Sequence, residues 1–225
     1  MITTVVIPVL NRYDLLQRCL ESLPMHVRVL VIDNGDNRGD NFDCEDLWPQ
    51  VRVLRMPSNL GVPQSWNLGI KLYPHEPGWL LLNSDAWFEG DLYTEYAWDV
   101  FEADCDESSI TLAGSPAWCC AWIGRNVVHR VGLFCEAYYP AYMEDVDYEE
   151  RARRAGLEIR YVATGVGHDN SSTINSDPEL ARRNGETHAR NIQIHDARWN
   201  GLALHEQPPV WDWSLRYRLA NAWDA

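Results

Sequence analysis

The sequence predicts an α/β fold built on a mostly parallel sheet flanked by helices. Three observations carry that expectation. Short apolar, β-branched runs alternate with segments of helical spacing. The runs are continuously hydrophobic instead of alternating, as strands buried on both faces are. Polar or acidic residues also recur where one run after another ends, and open parallel sheets bind ligands beyond the carboxyl ends of their strands.

Taken in order, residues 3–10 form a near-continuous β-branched run and read as a buried strand, broken by Asn11-Arg12. Residues 14–23 follow with Leu15, Leu16, Cys19, Leu20 and Leu23 at helical spacing. Residues 27–32 make a second strand that ends in Asp33-Asn34-Gly35, and residues 36–46 read as a loop or short helix. A third strand over 51–55 leads through the turn-like Pro57-Ser-Asn-Leu-Gly61 to a helix that Pro63 opens and that runs to about Tyr73. Residues 79–82 form a fourth strand and deliver Asn83-Ser84-Asp85 at its end.

Beyond Asp85 the pattern changes. Residues 92–103 predict a helix, 117–123 a strand, and 127–131 a short helix or turn. The segment from Tyr142 to Gly156 opens a helix with Glu144, Asp145, Asp147, Glu149 and Glu150 near its start, more acid than the macrodipole calls for. Gly156 stops that helix, and residues 159–162 make a last short strand before Gly165–His168. Residues 178–200 have weak helical character, and Trp211, Trp213 and Trp223 are expected to wrap back onto the body.

Composition narrows the function. The chain has 225 residues, 46% hydrophobic and 23% charged, enough for one large domain of two abutting halves. A net charge of −14 argues against nucleic acid as a partner, because phosphate binding needs a basic surface. If the ligand is a nucleoside diphosphate, the same charge calls for a divalent cation between carboxylates and phosphates. No apolar run is long enough to span a membrane, and the N-terminus reads directly as a strand; a cytoplasmic protein is expected. The six cysteines show neither Cys-x-x-Cys nor zinc-ligand spacing, which fits a reducing compartment. Eleven tryptophans and ten tyrosines against four phenylalanines suit either sugar stacking or a core.

The candidate chemistry lies in four places. Asp85 is a candidate ligand for Mg²⁺ or Mn²⁺, with Asn83 a neutral hydrogen-bonding partner for ribose or phosphate; Asn, Ser and Asp are also ordinary turn residues. Glu144 and Asp145 stand where the chain turns into a helix, and either is a candidate base for an acceptor hydroxyl; the alternative is dipole stabilisation. For Glu149 and Glu150 the preferred reading is structural, as i,i+4 partners of Arg153 and Arg154. His168 is a reasonable Mn²⁺ ligand or a structural imidazole. Asp33 can accept a nucleobase N–H or ribose hydroxyl, or cap its own turn.

In order and spacing these segments resemble the family 2 glycosyltransferases of the GT-A, Rossmann-like fold, in particular the rhamnosyltransferase-like branch. The matching segments are Val5-Val-Ile-Pro-Val-Leu-Asn-Arg12, Val31-Ile-Asp-Asn-Gly35, Asn59-Leu-Gly61 with Asn67-Leu-Gly69, and Leu81-Leu-Asn-Ser-Asp-Ala86. Arg130-Val-Gly-Leu-Phe134, Glu144-Asp-Val-Asp-Tyr-Glu-Glu-Arg151 and His168 continue the series. The resemblance implies a GT-A domain over residues 1–172, with a nucleotide-sugar half (1–85) and an acceptor or catalytic half (86–172), and a C-terminal helical extension over 173–225. It implies inverting transfer of a hexosyl or deoxyhexosyl group from a nucleotide-diphosphate sugar to a hydroxyl of a glycan, a lipid-linked saccharide or a protein. Asp33 would contact the base, while Pro8, Asn11, Arg12, Asn59, Gly61, Asn67, Asn83 and Ser84 would complete the donor pocket. Asp85 and His168 would hold Mn²⁺ or Mg²⁺, and Asp145, less favourably Glu144, would be the general base.

Two positions depart from that pattern: Asn83 replaces an aspartate, and Trp66 stands where many such enzymes carry arginine. The alternative function is a non-catalytic nucleotide-sugar or carbohydrate-binding module on the same fold. A dehydrogenase, methyltransferase or nucleotidyltransferase would need a glycine-rich turn near the first strand, where this chain has Pro8-Val-Leu-Asn-Arg12.

Overall fold

A computed structural model describes residues 2–35, 47–89, 94–169 and 178–200. The loop reading of 36–46 and the three terminal tryptophans lie outside those residues. Seven strands form the main sheet: β1 (Thr4–Val9), β2 (Arg28–Asp33), β3 (Val51–Arg55), β4 (Gly78–Leu82), β6 (Ile110–Ala113), β7 (Cys120–Gly124) and β8 (Ile159–Tyr161). Their order is β3-β2-β1-β4-β7-β6-β8. All neighbours pair in parallel except across β7, which runs against both β4 and β6. The sheet is therefore mixed at one strand and parallel elsewhere, the mostly parallel α/β architecture that the alternating runs predict.

Three segments depart from the sequence reading. Residues 117–123, expected as one strand, split into a 3₁₀ turn (Ala117–Cys119) and β7. Pro116 starts that turn, and Trp118 packs into the core from it, which a straight strand would not allow. The strand β6 and the three-residue β5 (Ala86–Phe88) have too few residues to stand out by periodicity. β5 pairs antiparallel with β9 (Val166–His168) in a separate two-stranded sheet.

Helices cover both faces because the strands are apolar on both. Val5, Ile7 and Val9 of β1 enter one core cluster with Leu16, Cys19 and Leu20 of α1 (Tyr13–Glu21), and with Ala97, Trp98 and Phe101 of α3 (Thr94–Ala103). Val6 points the other way, into a cluster with Trp66 and Ile70 of α2 (Val62–Leu72). That second cluster also takes Val127 and Val128 of α4 (Arg125–Val131), and Tyr148 and Ala152 of α5 (Glu144–Arg154). Each buried Val, Leu or Ile contributes about 1.5–3 kcal/mol, so this two-sided burial is the main force behind the sheet. Gly69 shows how close α2 lies: a Cβ there would meet Val6 at 2.5 Å. A final helix, α6, spans Pro178–Trp199.

The strand order fixes where a ligand can sit. From β1 the chain steps outward through β2 to β3, then returns to place β4 on the other side of β1. That reversal opens a crevice at the carboxyl ends of β1 and β4, the place where open α/β sheets bind ligands. Asn11 and Arg12 follow β1, Asp33 ends β2, and Asn83–Asp85 follow β4.

Candidate functional site

Asp85 and His168, 83 residues apart, meet because β5 and β9 pair. Ala86 lies opposite His168 in that ladder, and the Asp169 amide donates to the Asp85 carbonyl at 2.9 Å. The His168 Nε2 then stands 3.0 Å from Asp85 Oδ1, and the Asn83 Nδ2 lies 3.5 Å from the same nitrogen. Burial opposes protonation of His168, but the hydrogen bond and charge of Asp85 outweigh it and raise its pKa. On the opposite side of the crevice Arg12 sits in the left-handed region, with φ 55°, and is bound to Asp14 at 2.7 Å. Its pKa is raised, first by that hydrogen bond, with Asp169 and Asp85 adding to it.

The Asp85–His168 contact is a direct hydrogen bond, and its length is also compatible with two ligands of one divalent cation. Two neighbouring ligands of an octahedral ion bound at about 2.1 Å stand about 3.0 Å apart, which matches the separation of Asp85 Oδ1 and His168 Nε2. Among the described residues no group of three or more His, Cys, Asp or Glu side chains could hold an ion. A two-ligand site suits a cation that takes its remaining ligands from substrate phosphates and water.

Asp33 is buried at the end of β2. Its Oδ1 accepts from the Tyr13 hydroxyl at 2.8 Å and from the Gly35 amide at 3.0 Å, so it shapes its own turn. Next to it Asn34, not singled out from the sequence, is the latch for the third-strand loop. It accepts from the Leu60 amide at 2.9 Å and donates to the Ser65 hydroxyl at 3.0 Å. Asn59 accepts from the Gly61 amide at 2.7 Å. Gly61 has φ 81°, and a Cβ there would lie 2.7 Å from the Pro140 carbonyl, so only glycine lets this loop meet residues 139–140. Asn67 gives both amide hydrogens to the Phe134 carbonyl and Glu136 and accepts from the Phe134 amide, all at 2.9 Å. It fastens α2 to the segment that leads toward Glu144.

Trp66 lies in the core. Its ring stands 5.0 Å from Phe134 and 6.4 Å from Trp118, and Phe134 stacks on Tyr148 at 4.1 Å. Trp79, Trp98 and Trp122 are fully buried as well. Among the described residues, then, most indoles fill the interior.

The two carboxylates at the start of α5 follow a strained turn. Tyr142 and Met143 both have φ 75°, a conformation that costs a non-glycine residue about 1–3 kcal/mol. Glu144 is 5% exposed, its Oε2 has no hydrogen-bond partner, and burial followed by the neighbouring Asp145 charge pushes its pKa well up. Asp145 accepts from the Val146 amide at 2.8 Å, and burial raises its pKa too. Glu149 and Glu150 pair with Arg153 and Arg154 at 2.6 and 2.7 Å. Asp147, which the sequence did not single out, is completely buried. It binds Arg151 at 2.9 Å, the Trp199 indole at 2.9 Å and the Tyr138 hydroxyl at 3.3 Å.

Comparison with known proteins gives a family match over part of the chain and a likeness of fold. Residues 4–112 match the family described as Glycosyl transferase family 2. No curated protein sequence matches the chain. Among solved structures, TarS 1-349 of S. aureus is similar at 14% identity and TM-score 0.55, covering 86% of this chain and 69% of that one. The same protein in complex with UDP covers 92% and 76%, with TM-score 0.56. GalNAc-T7 with UDP, GalNAc and Mn²⁺ is similar at 14% identity and TM-score 0.61, covering 75% of this chain but 44% of that one. At such identity the likeness speaks to the fold. Residues 4–112 are thus similar to glycosyl transferase family 2, and the described fold is similar to that of these solved structures.

Proposed function

We propose that the protein is an inverting, divalent-metal-dependent glycosyltransferase that moves a sugar from a nucleotide-diphosphate sugar to an acceptor hydroxyl. The observation that carries the reading is the Asp85–His168 pair at the switch point of the sheet, 3.0 Å apart and fit to share a cation with a diphosphate. Asp85 and His168 would hold Mn²⁺ or Mg²⁺, which when bound neutralises the departing diphosphate. The solved neighbours named with UDP, or with UDP, GalNAc and Mn²⁺, support a nucleotide donor and a metal. Asp33 would meet the nucleobase. Pro8, Asn11, Arg12 and the Asn59–Gly61 loop would wall the donor, and Asn83 and Ser84 would sit beside ribose or phosphate.

Asp145 is assigned as the general base. In one displacement the acceptor oxygen forms its bond to the anomeric carbon, the proton passes to the carboxylate, and the bond to the diphosphate breaks with inversion. Burial suits Asp145 to this, because a raised pKa makes it a stronger base near neutral pH. Glu144 is the less favoured candidate. Its buried, unpartnered oxygen marks it as an acid held neutral beside the base. A hexosyl or deoxyhexosyl donor, as in the rhamnosyltransferase-like branch, is the finer form of this reading. The free thiols of Cys19, Cys105, Cys119, Cys120 and Cys135 support a reducing, cytoplasmic location. Among the described residues no helix is long and apolar enough to cross a membrane.

The test is calorimetry of UDP-, GDP-, dTDP- and CDP-sugars with Mn²⁺, repeated in EDTA. Binding of one nucleotide class, lost in EDTA, is the expected result. Binding that survives EDTA overturns the metal assignment. Binding without any turnover over a broad acceptor panel would favour a non-catalytic sugar-nucleotide module.

A further inference from the structure

The turn that presents Glu144 and Asp145 is held by a helix about 50 residues away in sequence. Asn191, on α6, is completely buried, and its Nδ2 donates to the Ala141 carbonyl at 2.9 Å and to the Tyr142 carbonyl at 3.1 Å. Two carbonyl neighbours demand donors, so the amide orientation is fixed by its surroundings. The same stretch of α6 places His188 against the Tyr142 ring at 4.9 Å and Asn184 at 3.4 Å from its hydroxyl. One α6 segment thus reaches the carbonyl, ring and hydroxyl of strained Tyr142, two positions before Glu144, and the carbonyl of the preceding Ala141. The end of α6 is anchored separately, by Trp199 on Asp147.

Resting on the glycosyltransferase reading, we propose that α6 is a clamp for the base-bearing turn and that Asn191 is its positioning residue. The strain at Tyr142 and Met143 needs outside support, since left-handed backbone in two successive non-glycine residues persists only where neighbours over-determine it. Asn191 supplies that support at residues 141–142, next to the Gly61–Pro140 contact in sequence. Releasing it lets the turn relax toward ordinary backbone angles, moving Asp145 relative to an acceptor while leaving the Asp85–His168 site untouched. A misplacement of about 1 Å costs about 100-fold in rate.

The experiment compares wild type with Asn191→Ala, Asn191→Asp and a surface control, Arg182→Ala, whose side chain is 56% exposed. Amide hydrogen exchange over residues 141–147 reads the clamp without reference to activity. Nucleotide release from the donor sugar found by calorimetry, with Mn²⁺ and water as acceptor, reads the chemistry. Both Asn191 variants are expected to lose protection in that segment. They should release nucleotide about tenfold to 100-fold more slowly at unchanged donor Kd, whereas Arg182→Ala matches wild type. Aspartate keeps the shape of asparagine but turns acceptors toward two carbonyls, so its loss at neutral pH and partial recovery on acidification separate hydrogen bonding from packing. Unchanged protection overturns the clamp, and lost protection with unchanged turnover overturns its link to catalysis. If wild type binds no donor, the glycosyltransferase reading fails while the exchange arm still decides the clamp.

Discussion

The two acidic sites of this protein are built in opposite ways. Asp85 and His168 sit at the ends of short strands, and the β5–β9 ladder brings them within 3.0 Å. Glu144 and Asp145 sit after two residues with left-handed backbone, in a segment that meets the Gly61 loop at residues 139–140 and α6 at residues 141–142. The first site follows from regular hydrogen bonding between two strands that are distant in sequence. The second depends on contacts from three parts of the chain, so changes far from it in sequence should reach it. The proposed ion site would gain from a rigid frame, whereas the proposed base would have to be aimed at a substrate that arrives separately.

The largest effect expected from breaking this contrast is on turnover. Asp145→Asn removes the proposed base and is expected to slow transfer by about 100-fold to 10,000-fold. The same reasoning sets the pH profile of the wild type. The base must be deprotonated, and burial raises its pKa, so the acid limb of the rate is expected above the ordinary aspartate range and absent in the variant. A profile with its acid limb at the ordinary aspartate value would remove burial as the tuning force.

Next in size is a backbone effect. Gly61→Ala forces a Cβ to within 2.7 Å of the Pro140 carbonyl at φ 81°, and it is expected to cost about 1–3 kcal/mol of stability in denaturant titration. Because the collision falls on the segment that leads to Glu144, turnover should drop more than donor affinity does. Equal losses in both would place the loop's role on the donor side alone.

The smallest effect sharpens the roles within the carboxylate pair. Glu144 has its folded-state pKa raised by burial, so its contribution to stability is present at acid pH and lost as pH rises through the raised value. Glu144→Gln removes the cost of keeping that carboxyl protonated, and it is expected to raise Tm by about 2–4 °C at neutral pH and to change nothing at pH 4. A lower Tm at neutral pH would show that the ionised carboxylate has a partner that stabilises it.

What the sequence made legible follows the range of the interactions. β3 stands over the residues its apolar run indicates, and β1, β2, β4, α1 and α2 lie within a residue or two of their predicted bounds. Their patterns are local, and helices covering both faces leave the strands uniformly apolar. The helical pairing of Glu149 with Arg153 and Glu150 with Arg154 was readable for the same reason. Asp147 looked like one more acid in an acidic helix start; its burial comes from Trp199, 52 residues away. Asn191 gave no sign at all, since an asparagine in a weakly amphipathic helix reads as surface. The tryptophans were open to both readings. Their amphipathic chemistry suits sugars, yet Trp66, Trp79, Trp98, Trp118 and Trp122 were claimed by the core. Trp66, where many relatives in the resembling family carry arginine, is part of the aromatic stack with Phe134 and Tyr148.

The division of labour between the two sites is tested most directly by donor calorimetry on two variants side by side, Asp85→Ala and Asp145→Asn, in Mn²⁺ and in EDTA. Loss of donor binding in Asp85→Ala, with wild-type, EDTA-sensitive binding in Asp145→Asn, is the predicted result. Equal donor affinity in the two variants, whether both bind or neither does, would contradict it.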